Sequence, residues 1–299
     1  MTDLSQKVVL ITGAARGIGA GTARALAKQG SNLVLTDRDA EPLEALAAEL
    51  GADRVVARVC DVCDLASMEE AVAAGVARFG GIDLVLANAG ISSYGSVMAV
   101  DPATFKRVLD VNVVGVFHTV RAALPSVIER NGYILIVSSL AAFTPAPGLS
   151  AYNASKAGVE QFANALRLEV AYLGVDVGTA HMSWIDTPLV RDAKSDLPAF
   201  GQLLDLLPGP LGKTTSVEAC VSAFVRALAG RKRRVYVPRW VAGFAAVRSL
   251  VTSRVGDREA LKHVATVLPQ MDAEVAALGR STSARNIAVD GAPVSGPVP

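Results

Sequence analysis

The sequence predicts an α/β protein with a single doubly wound domain, in which helices cover both faces of a parallel sheet, followed by a C-terminal helical extension. Strand and helix signals alternate along most of the chain, a pattern typical of parallel sheets with crossover helices. With 299 residues, 51% of them hydrophobic, the chain can bury a large core. We predict the domain over residues 1–238, the helical extension over 239–280 and a disordered tail, rich in Ser, Gly and Pro, over 281–299.

The first elements are predicted to be a strand, a glycine turn and a helix. Residues 7–12 form a short apolar run, three glycines follow within residues 13–19, and a helical pattern begins at Ala20. Glycines let the backbone approach a pyrophosphate closely, and the phosphate charge then faces the positive end of the helix. We therefore predict a dinucleotide site here, with contacts from Gly13, Arg16, Gly17, Ile18 and Gly19.

The second strand, residues 32–36, ends at Asp37. An acidic residue about 20 positions past the glycines can accept hydrogen bonds from the adenosine ribose hydroxyls, and it repels a 2′-phosphate. Arg16 and Arg38 favour the opposite choice, because basic residues at these places can hold a 2′-phosphate. We expect NAD as the cofactor, with NADP as the alternative.

Three polar side chains downstream form a candidate proton-transfer device. If the segment after Ala151 is helical, Tyr152 and Lys156 project from one face, and the ammonium is expected to lower the pKa of the phenol toward working pH. Ser139 follows an apolar strand and, because neighbours on a strand point to opposite faces, it rather than Ser138 is expected to face a substrate. Such a set suits proton transfer to or from an alcohol oxygen.

These motifs, in this order, resemble the classical short-chain dehydrogenase/reductase family over roughly residues 5–240. The loop from Thr12 to Gly19 looks like the family's cofactor loop. The sequence departs from the family pattern at Ala87, where a second Asn is common, and at Met182 and Ser183, where Pro-Gly is frequent. Further resemblances assign Asp61 and Val62 to the adenine, Asn88, Ala89 and Gly90 to the cofactor turn, Asn112, Ser139, Tyr152 and Lys156 to a catalytic tetrad, and Ile185 and Thr187 to the nicotinamide.

The resemblance implies an oxidoreductase that moves a hydride between a nicotinamide cofactor and an alcohol or carbonyl carbon. Tyr152 would be the general acid/base, Ser139 would bond the substrate oxygen, Lys156 would hold the nicotinamide ribose, and Asn112 would anchor a water. The alternatives are an NADPH-dependent ketoreductase of fatty-acid or polyketide type and a peripheral-membrane lipid or steroid dehydrogenase. A catalytically idle protein is disfavoured because all four tetrad positions are present.

The segment from Leu189 to Leu211 is predicted to be a long apolar loop that covers the substrate. An apolar lid favours an apolar alcohol or ketone as substrate. The competing interpretation is that its leucines only pack on the core.

Beyond Pro238, two further features are indicated. Residues 231–254 carry seven basic and no acidic side chains, with Trp240, Phe244, Val247 and Val251 at helical spacing, so this segment either packs on the body or a partner subunit or contacts an anionic membrane. An apolar seam then follows, interrupted by Pro269, and predicts an arm across the interface of a homodimer or homotetramer. The seam consists of Leu261, Val264, Leu268, Met271, Val275 and Leu278.

Composition excludes several other classes. The net charge of +1 provides no basis for nucleic-acid binding, and no run approaches the ~18 apolar residues of a membrane span. The N-terminus leaves no room for a signal peptide, so a cytoplasmic, or membrane-peripheral, protein is expected. Cys60 and Cys63 lack a second cysteine pair, and the three histidines are scattered, so no metal site is predicted.

Overall fold

The computed structural model describes residues 3–291, of which residues 259 and 260 are described as backbone only. The sheet contains the strands β1 (Val8–Thr12), β2 (Asn32–Asp37), β3 (Val55–Val59), β4 (Leu84–Ala87), β5 (Tyr133–Val137), β6 (Asp176–Met182) and β7 (Arg234–Val237). All neighbouring strands are parallel, in the order β3-β2-β1-β4-β5-β6-β7. The predicted doubly wound α/β fold is confirmed.

Thirteen α-helices are found within residues 3–291, together with a π-helical turn over Asp110–Val114. The helices are α1 (Gly17–Ala27), α2 (Ala40–Leu50), α3 (Leu65–Phe79), α4 (Pro102–Leu109), α5 (Gly115–Glu129), α6 (Ser150–Val170), α7 (Pro188–Asp196), α8 (Pro198–Leu206), α9 (Val217–Gly230), α10 (Val241–Ala246), α11 (Arg248–Val251), α12 (Arg254–Leu278) and α13 (Ala284–Gly291).

Strand alternation divides the core into two layers. Along β1, Val9 and Ile11 face a layer covered by α1, α2 and α9, whereas Val8 and Leu10 face a layer covered by α3, α5 and α6. Because both faces of the sheet are covered, the central strands β1, β4 and β5 are buried throughout, which explains their continuous apolar runs.

The strand order reverses at β1, which lies between β2 and β4. The loops that follow β1 and β4 therefore meet at the carboxyl edge of the sheet, where α/β proteins of this topology bind ligands. Asn88 joins the two loops: its side-chain Nδ2 donates to the carbonyls of Thr12 and Gly13, both at 3.0 Å.

One continuous helical stretch, Pro102–Glu129, is long and apolar enough to cross a membrane, with a mean hydropathy of 1.4. This corrects the prediction that no such run exists. The stretch joins α4, the π-helical turn and α5, and 44% of its most apolar window is buried inside the fold. Its buried residues, including Val116, Val120 and Val127, face the sheet, so its apolar composition has a packing explanation.

The predicted apolar loop over 189–211 is wrong in its secondary structure, because most of it is helical. Pro188 and Pro198 each begin a helix, α7 and α8, at a position that requires no backbone N–H. Phe200 and Leu204 are buried against Met271 of α12, and this tertiary contact, which no local pattern reveals, stabilises the helices.

The C-terminal extension is helical, as predicted, and part of its apolar seam packs within the same chain. Pro269 lies inside α12 rather than interrupting it, and Met271 and Val275 of the seam are buried in one cluster with α8. Leu261 at the start of the seam is 66% exposed, so the oligomer arm stays a prediction. The basic segment over residues 231–254 has a packed part and an exposed part. Trp240 packs edge-on against Phe244 at 5.5 Å, whereas Leu250 is exposed.

The predicted disordered tail over 281–299 is wrong for its first eleven residues. Ser281, Thr282 and Ser283 are buried and helix α13 follows, while residues 292–299 lie outside the described residues. We call residues 280–291 the C-terminal strap. Its polar side chains are satisfied by long-range partners, for example Arg280, which makes two 2.7 Å bonds to Asp196, so its polar composition did not mean disorder.

Candidate active site

A single cavity of about 610 Å³ lies at the carboxyl edge of the sheet. Sixteen of the eighteen residues that the sequence predicted for the site line this cavity, and the other two, Gly19 and Asn112, do not. The sixteen are Gly13, Arg16, Gly17, Ile18, Asp37, Arg38, Asp61, Val62, Asn88, Ala89, Gly90, Ser139, Tyr152, Lys156, Ile185 and Thr187.

The glycine loop at one end of the cavity has no room for side chains. A Cβ on Gly13 would lie 2.8 Å from the Cα of Ala89, and one on Gly19 would lie 2.1 Å from the carbonyl oxygen of Gly13. Gly13 and Gly17 also have positive φ angles, of 64° and 54°. The loop enters α1 through Arg16, whose side chain does not cap the helix, and the first turn of α1 contains no acidic residue. The N-terminus of α1 therefore suits an anion.

Asp37 closes the loop from the end of β2. Its carboxylate accepts hydrogen bonds from the N–H groups of Ala15 at 2.9 Å and Asp39 at 3.0 Å. Burial raises the pKa of Asp37, while these two N–H groups act in the opposite direction because they favour the ionised form. The neighbouring Arg16 is paired with Asp39 at 2.7 Å.

Asp61 and Val62 lie on the cavity wall after β3. Burial acts to raise the pKa of Asp61, but the Cys63 N–H and the guanidinium groups of Arg107 and Arg38 outweigh it and hold the pKa below its ordinary value. Arg107, on α4, was not identified from the sequence, because nothing in its local pattern separates it from an exposed helical arginine.

Ser139 and Tyr152 face each other in the middle of the cavity. Ser139 lies directly after β5, and its Oγ accepts from the Ala141 N–H at 3.1 Å and donates to the Met182 carbonyl at 3.4 Å. Ser138 points away from the cavity and donates to the Lys156 carbonyl at 3.0 Å, as strand alternation predicts. Ser138 thus anchors α6 to the sheet.

Lys156 lies one helical turn after Tyr152, on the same face of α6. Its Nζ donates to the Val137 carbonyl at 3.0 Å and lies 5.5 Å from the centroid of the Tyr152 ring. A Cβ added to Gly90 would meet Asn112 Oδ1 at 3.2 Å and Lys156 Nζ at 3.4 Å, so these two side chains flank the same small space.

The π-helical turn over 110–114 fixes the position of Asn112. Its Oδ1 accepts from the Ile91 N–H, and its Nδ2 donates to the Ile91 carbonyl and to Ser155 Oγ, all at 2.9 Å. Asn112 is fully buried and supports the loop after β4. Such π-helical turns are frequent at functional sites.

The expected lowering of the Tyr152 pKa is not what the structure shows. Burial raises the pKa of Tyr152, and a hydrogen bond with the Ser139 side chain opposes this effect. Burial also lowers the pKa of Lys156 to about 8. The i,i+4 spacing gave the correct proximity, but it could not show that both groups are desolvated.

The backbone past Met182, where the sequence departs from the family pattern, runs beside β7. The Ser183 N–H donates to the Val237 carbonyl at 2.9 Å, and Ile185 pairs with Thr215. Thr187 then precedes α7 and lines the cavity, and its contact with the nicotinamide stays a prediction.

The far end of the cavity is apolar. Trp184 packs edge-on against Phe200 at 5.4 Å, and neither the position nor the role of Trp184 was identified from the sequence. The lid leucines have both predicted roles, since Leu204 is buried in the core whereas Leu203 lines the cavity. Other lining residues at this end are Leu149, Leu189, Leu206, Leu207 and Leu211.

His181 is a buried polar residue directly behind Ser139, and the sequence did not indicate it as part of the site. Its Nδ1 lies 3.3 Å from the Ser139 carbonyl oxygen, its Nε2 lies 3.0 Å from Thr179 Oγ1, and its ring stacks on Tyr236. Burial lowers the pKa of His181 to about 4, although Glu160 opposes this shift, so the ring is neutral near pH 7. It therefore supports the strand that carries Ser139.

Metal ligands do not cluster in the described part of the chain: residues 3–291 hold no group of three or more His, Cys, Asp or Glu side chains arranged for an ion. Cys60 contacts Met68, and Cys63 lies 3.0 Å from Arg107 Nη1.

Known proteins resemble this chain in sequence and in overall fold. A trans-4-hydroxycyclohexanecarboxylate dehydrogenase of Sinomonas cyclohexanicum is 33% identical, over 72% of this chain and 83% of its own. An 11-beta-hydroxysteroid dehydrogenase 1A of Arabidopsis thaliana is 34% identical, over 80% of this chain and 70% of its own. Among solved structures, a 3-ketoacyl-(acyl-carrier-protein) reductase of Brucella melitensis, complexed with NADH, is 31% identical, with a TM-score of 0.70 over 78% of this chain and 97% of its own.

The family model described as short chain dehydrogenase matches residues 7–198, which span the glycine loop, the tetrad and the start of the lid. This match covers more than half of the chain and contains most of the residues that line the cavity. The protein is an oxidoreductase and belongs to the short-chain dehydrogenase family.

Proposed function

We propose that this protein is an NAD-dependent dehydrogenase that moves a hydride between the nicotinamide and an alcohol or carbonyl carbon of an apolar small molecule. The observation that carries the proposal is the cavity itself. One continuous space of about 610 Å³ has a glycine loop at one end, Ser139, Tyr152 and Lys156 in the middle, and an apolar wall at the other end.

The residues at the first end fit a dinucleotide. The loop is a cradle that any Cβ on Gly13 or Gly19 would fill, the N-terminus of α1 suits a pyrophosphate, and Asp37 stands where a ribose hydroxyl would be bonded. The glycine loop, Asp37, Asn88 and Lys156 would hold the cofactor. When bound, it supplies the site that accepts or donates the hydride.

The chain's own residues move the proton. Tyr152 takes the proton of the alcohol oxygen in oxidation and returns it in reduction, while Ser139 donates a hydrogen bond to that same oxygen. The raised pKa of Tyr152 keeps it protonated near neutral pH, which favours reduction there, and oxidation gains as the pH rises. The amine of Lys156 is buried 5.5 Å from the centroid of the Tyr152 ring, and it borders the small space above Gly90.

NAD is favoured over NADP by the carboxylates around the glycine loop. Asp37 repels a 2′-phosphate at short range, and Arg16, which could have attracted one, is paired with Asp39 at 2.7 Å. The NADH complex of the Brucella reductase is consistent with this choice.

The apolar wall supports an apolar secondary alcohol or the matching ketone as substrate. Trp184, Phe200 and Leu203 form a surface that would match an alicyclic ring. The substrates in the names of the Sinomonas and Arabidopsis relatives contain such rings. A ketoreductase acting on acyl thioesters, with NADPH, is the alternative.

The test is a screen of cyclic alcohols, steroids and β-ketoacyl thioesters with each cofactor, read at the nicotinamide absorbance. We expect turnover of a cyclic alcohol with NAD⁺, and a loss of at least about 100-fold in Tyr152→Phe because the general acid/base is removed. Tyr172→Phe, which alters an 83% exposed tyrosine, is the matched control. Near-normal turnover in Tyr152→Phe would contradict the mechanism, and turnover of the thioesters alone would favour the alternative.

A second candidate, a peripheral-membrane dehydrogenase acting on lipid-like alcohols, is favoured by the surface near the basic segment. Leu250 and Val255 are 56% and 61% exposed and lie within four positions of Arg254 in the chain. Exposed apolar side chains among basic ones suit an anionic membrane surface. Salt-sensitive sedimentation with anionic vesicles would support this candidate.

A further inference from the structure

The C-terminal strap runs along the cavity wall from α7 to the end that contains Asp37, Arg38 and Asp61, which we call the adenosine end. At the lid, Arg280 pairs with Asp196 and Arg285 pairs with Asp192, both on α7. In the middle, Thr282 Oγ1 donates to the Ser92 carbonyl at 2.9 Å. The strap then supplies several residues to the cavity wall, namely Ser283, Arg285, Asn286, Val289 and Asp290.

Asp290 ends the strap among the arginines of the adenosine end. Its Oδ1 accepts from Arg38 Nη1, from Arg107 Nη2 at 2.8 Å and from Arg107 Nε at 3.1 Å. On the other side, Asp61 Oδ2 lies 3.2 Å from Arg107 Nη2 and 3.4 Å from Arg38 Nε. The two guanidinium groups are thus held between two carboxylates.

This cluster of two arginines and two carboxylates lies at the end of the cavity where the proposed function places the adenosine ribose. Arg38 directly follows Asp37, and the cavity wall at this end contains Asp37, Arg38, Asp61 and Asp290 together. Arg38 is the basic residue that a 2′-phosphate could use, since a guanidinium with free donors binds phosphate tightly. With Asp290 in place, an Arg38 donor is engaged, and a further carboxylate lines the same cavity as Asp37.

We propose that Asp290 is a cofactor-specificity residue, which excludes a 2′-phosphorylated dinucleotide by neutralising Arg38 and by repelling the phosphate. This inference rests on the proposed NAD-dependent function. It assigns a binding role to a residue 252 positions away from its partner in the sequence, outside the part of the chain that the family model matches.

The experiment measures the dissociation constants of NADH and NADPH for the full-length protein by titration of the nicotinamide fluorescence. In Asp290→Asn we expect the preference for NADH over NADPH to fall by about tenfold or more, because a like-charge contact is removed and Arg38 is released. Asp290→Glu keeps the carboxylate and is expected to keep the preference. Adding Arg38→Gln to Asp290→Asn is expected to abolish the gain in NADPH affinity.

Asp196→Asn is the matched control. It removes a carboxylate that anchors the other end of the strap through Arg280, and Asp196 does not line the cavity, so the preference should stay unchanged. An unchanged preference in Asp290→Asn would overturn the role of Asp290, as would an equal gain for both dinucleotides, which would mean that the strap only obstructs entry. A wild-type protein that binds neither dinucleotide would instead overturn the proposed function.

Discussion

Lys156 is a lysine that the fold buries almost completely, with 3% of its surface exposed. Its amine donates to the Val137 carbonyl and, among the described residues, pairs with no carboxylate that would compensate for the lost hydration. Burial therefore lowers its pKa from 10.5 to about 8. A lysine retained at such a cost to stability is typical of a functional site.

The buried ammonium should be visible in the pH dependence of stability. The pKa in the folded state is below that in the unfolded state, so the penalty is present in full below pH 8 and is relieved as the pH rises from about 8 to 10.5. We expect the stability of Lys156→Met relative to wild type to fall by up to about 3 kcal/mol across this interval. Urea unfolding at several pH values measures it.

Lys106→Met, which removes an exposed lysine on α4, is the control for that series. A stability difference between Lys156→Met and wild type that does not change with pH would show that the amine is better hydrated than the structure indicates.

At the scale of elements, the unit of β1, glycine loop and α1 was predictable because its information is local. Thr12, Gly13 and Gly19 are within eight positions, and a strand, a tight turn and a helix follow from short patterns. The lid was less predictable. Helices α7 and α8 depend on contacts with α12, about seventy residues later, and a local pattern contains no information about such packing.

The glycine loop itself permits a sharp test. Gly19→Ala places a methyl group 2.1 Å from the Gly13 carbonyl oxygen and 3.0 Å from Asn88 Nδ2, so the loop must move. We expect NADH affinity to fall by about tenfold or more, since in the proposed function the backbone of this loop would hold the pyrophosphate. Gly201→Ala on α8, where a Cβ meets nothing within 4 Å, is the control. Unchanged NADH affinity in Gly19→Ala would argue against the loop as the pyrophosphate site.

Across the chain as a whole, the sequence predicted the fold class and the proximity of Ser139, Tyr152, Lys156 and Asn112, but not the strap. The contacts of Arg280, Arg285 and Asp290 join residues that lie 84 to 252 positions apart, and their Ser- and Gly-rich surroundings resemble those of a flexible tail. Ion pairs of this kind are specified by the fold, so sequence patterns cannot reveal them.

The surface beside the basic segment over residues 231–254 has exposed apolar side chains, among them Leu250 and Val255. If the protein contacts membranes, Leu250→Ser should reduce its sedimentation with phosphatidylserine-containing vesicles at low salt by about threefold or more, because an exposed apolar side chain no longer inserts. Leu168→Ser, which alters a 67% exposed leucine on α6, is the matched control. The absence of sedimentation by the wild-type protein would end the membrane proposal.

The strap is tied to α7 over the apolar end of the cavity and to Arg38 over the opposite end. The dinucleotide and the alcohol would therefore bind next to the same segment of the chain. We expect a substitution that shifts the strap to change the KM of both, which steady-state kinetics with each in turn would measure.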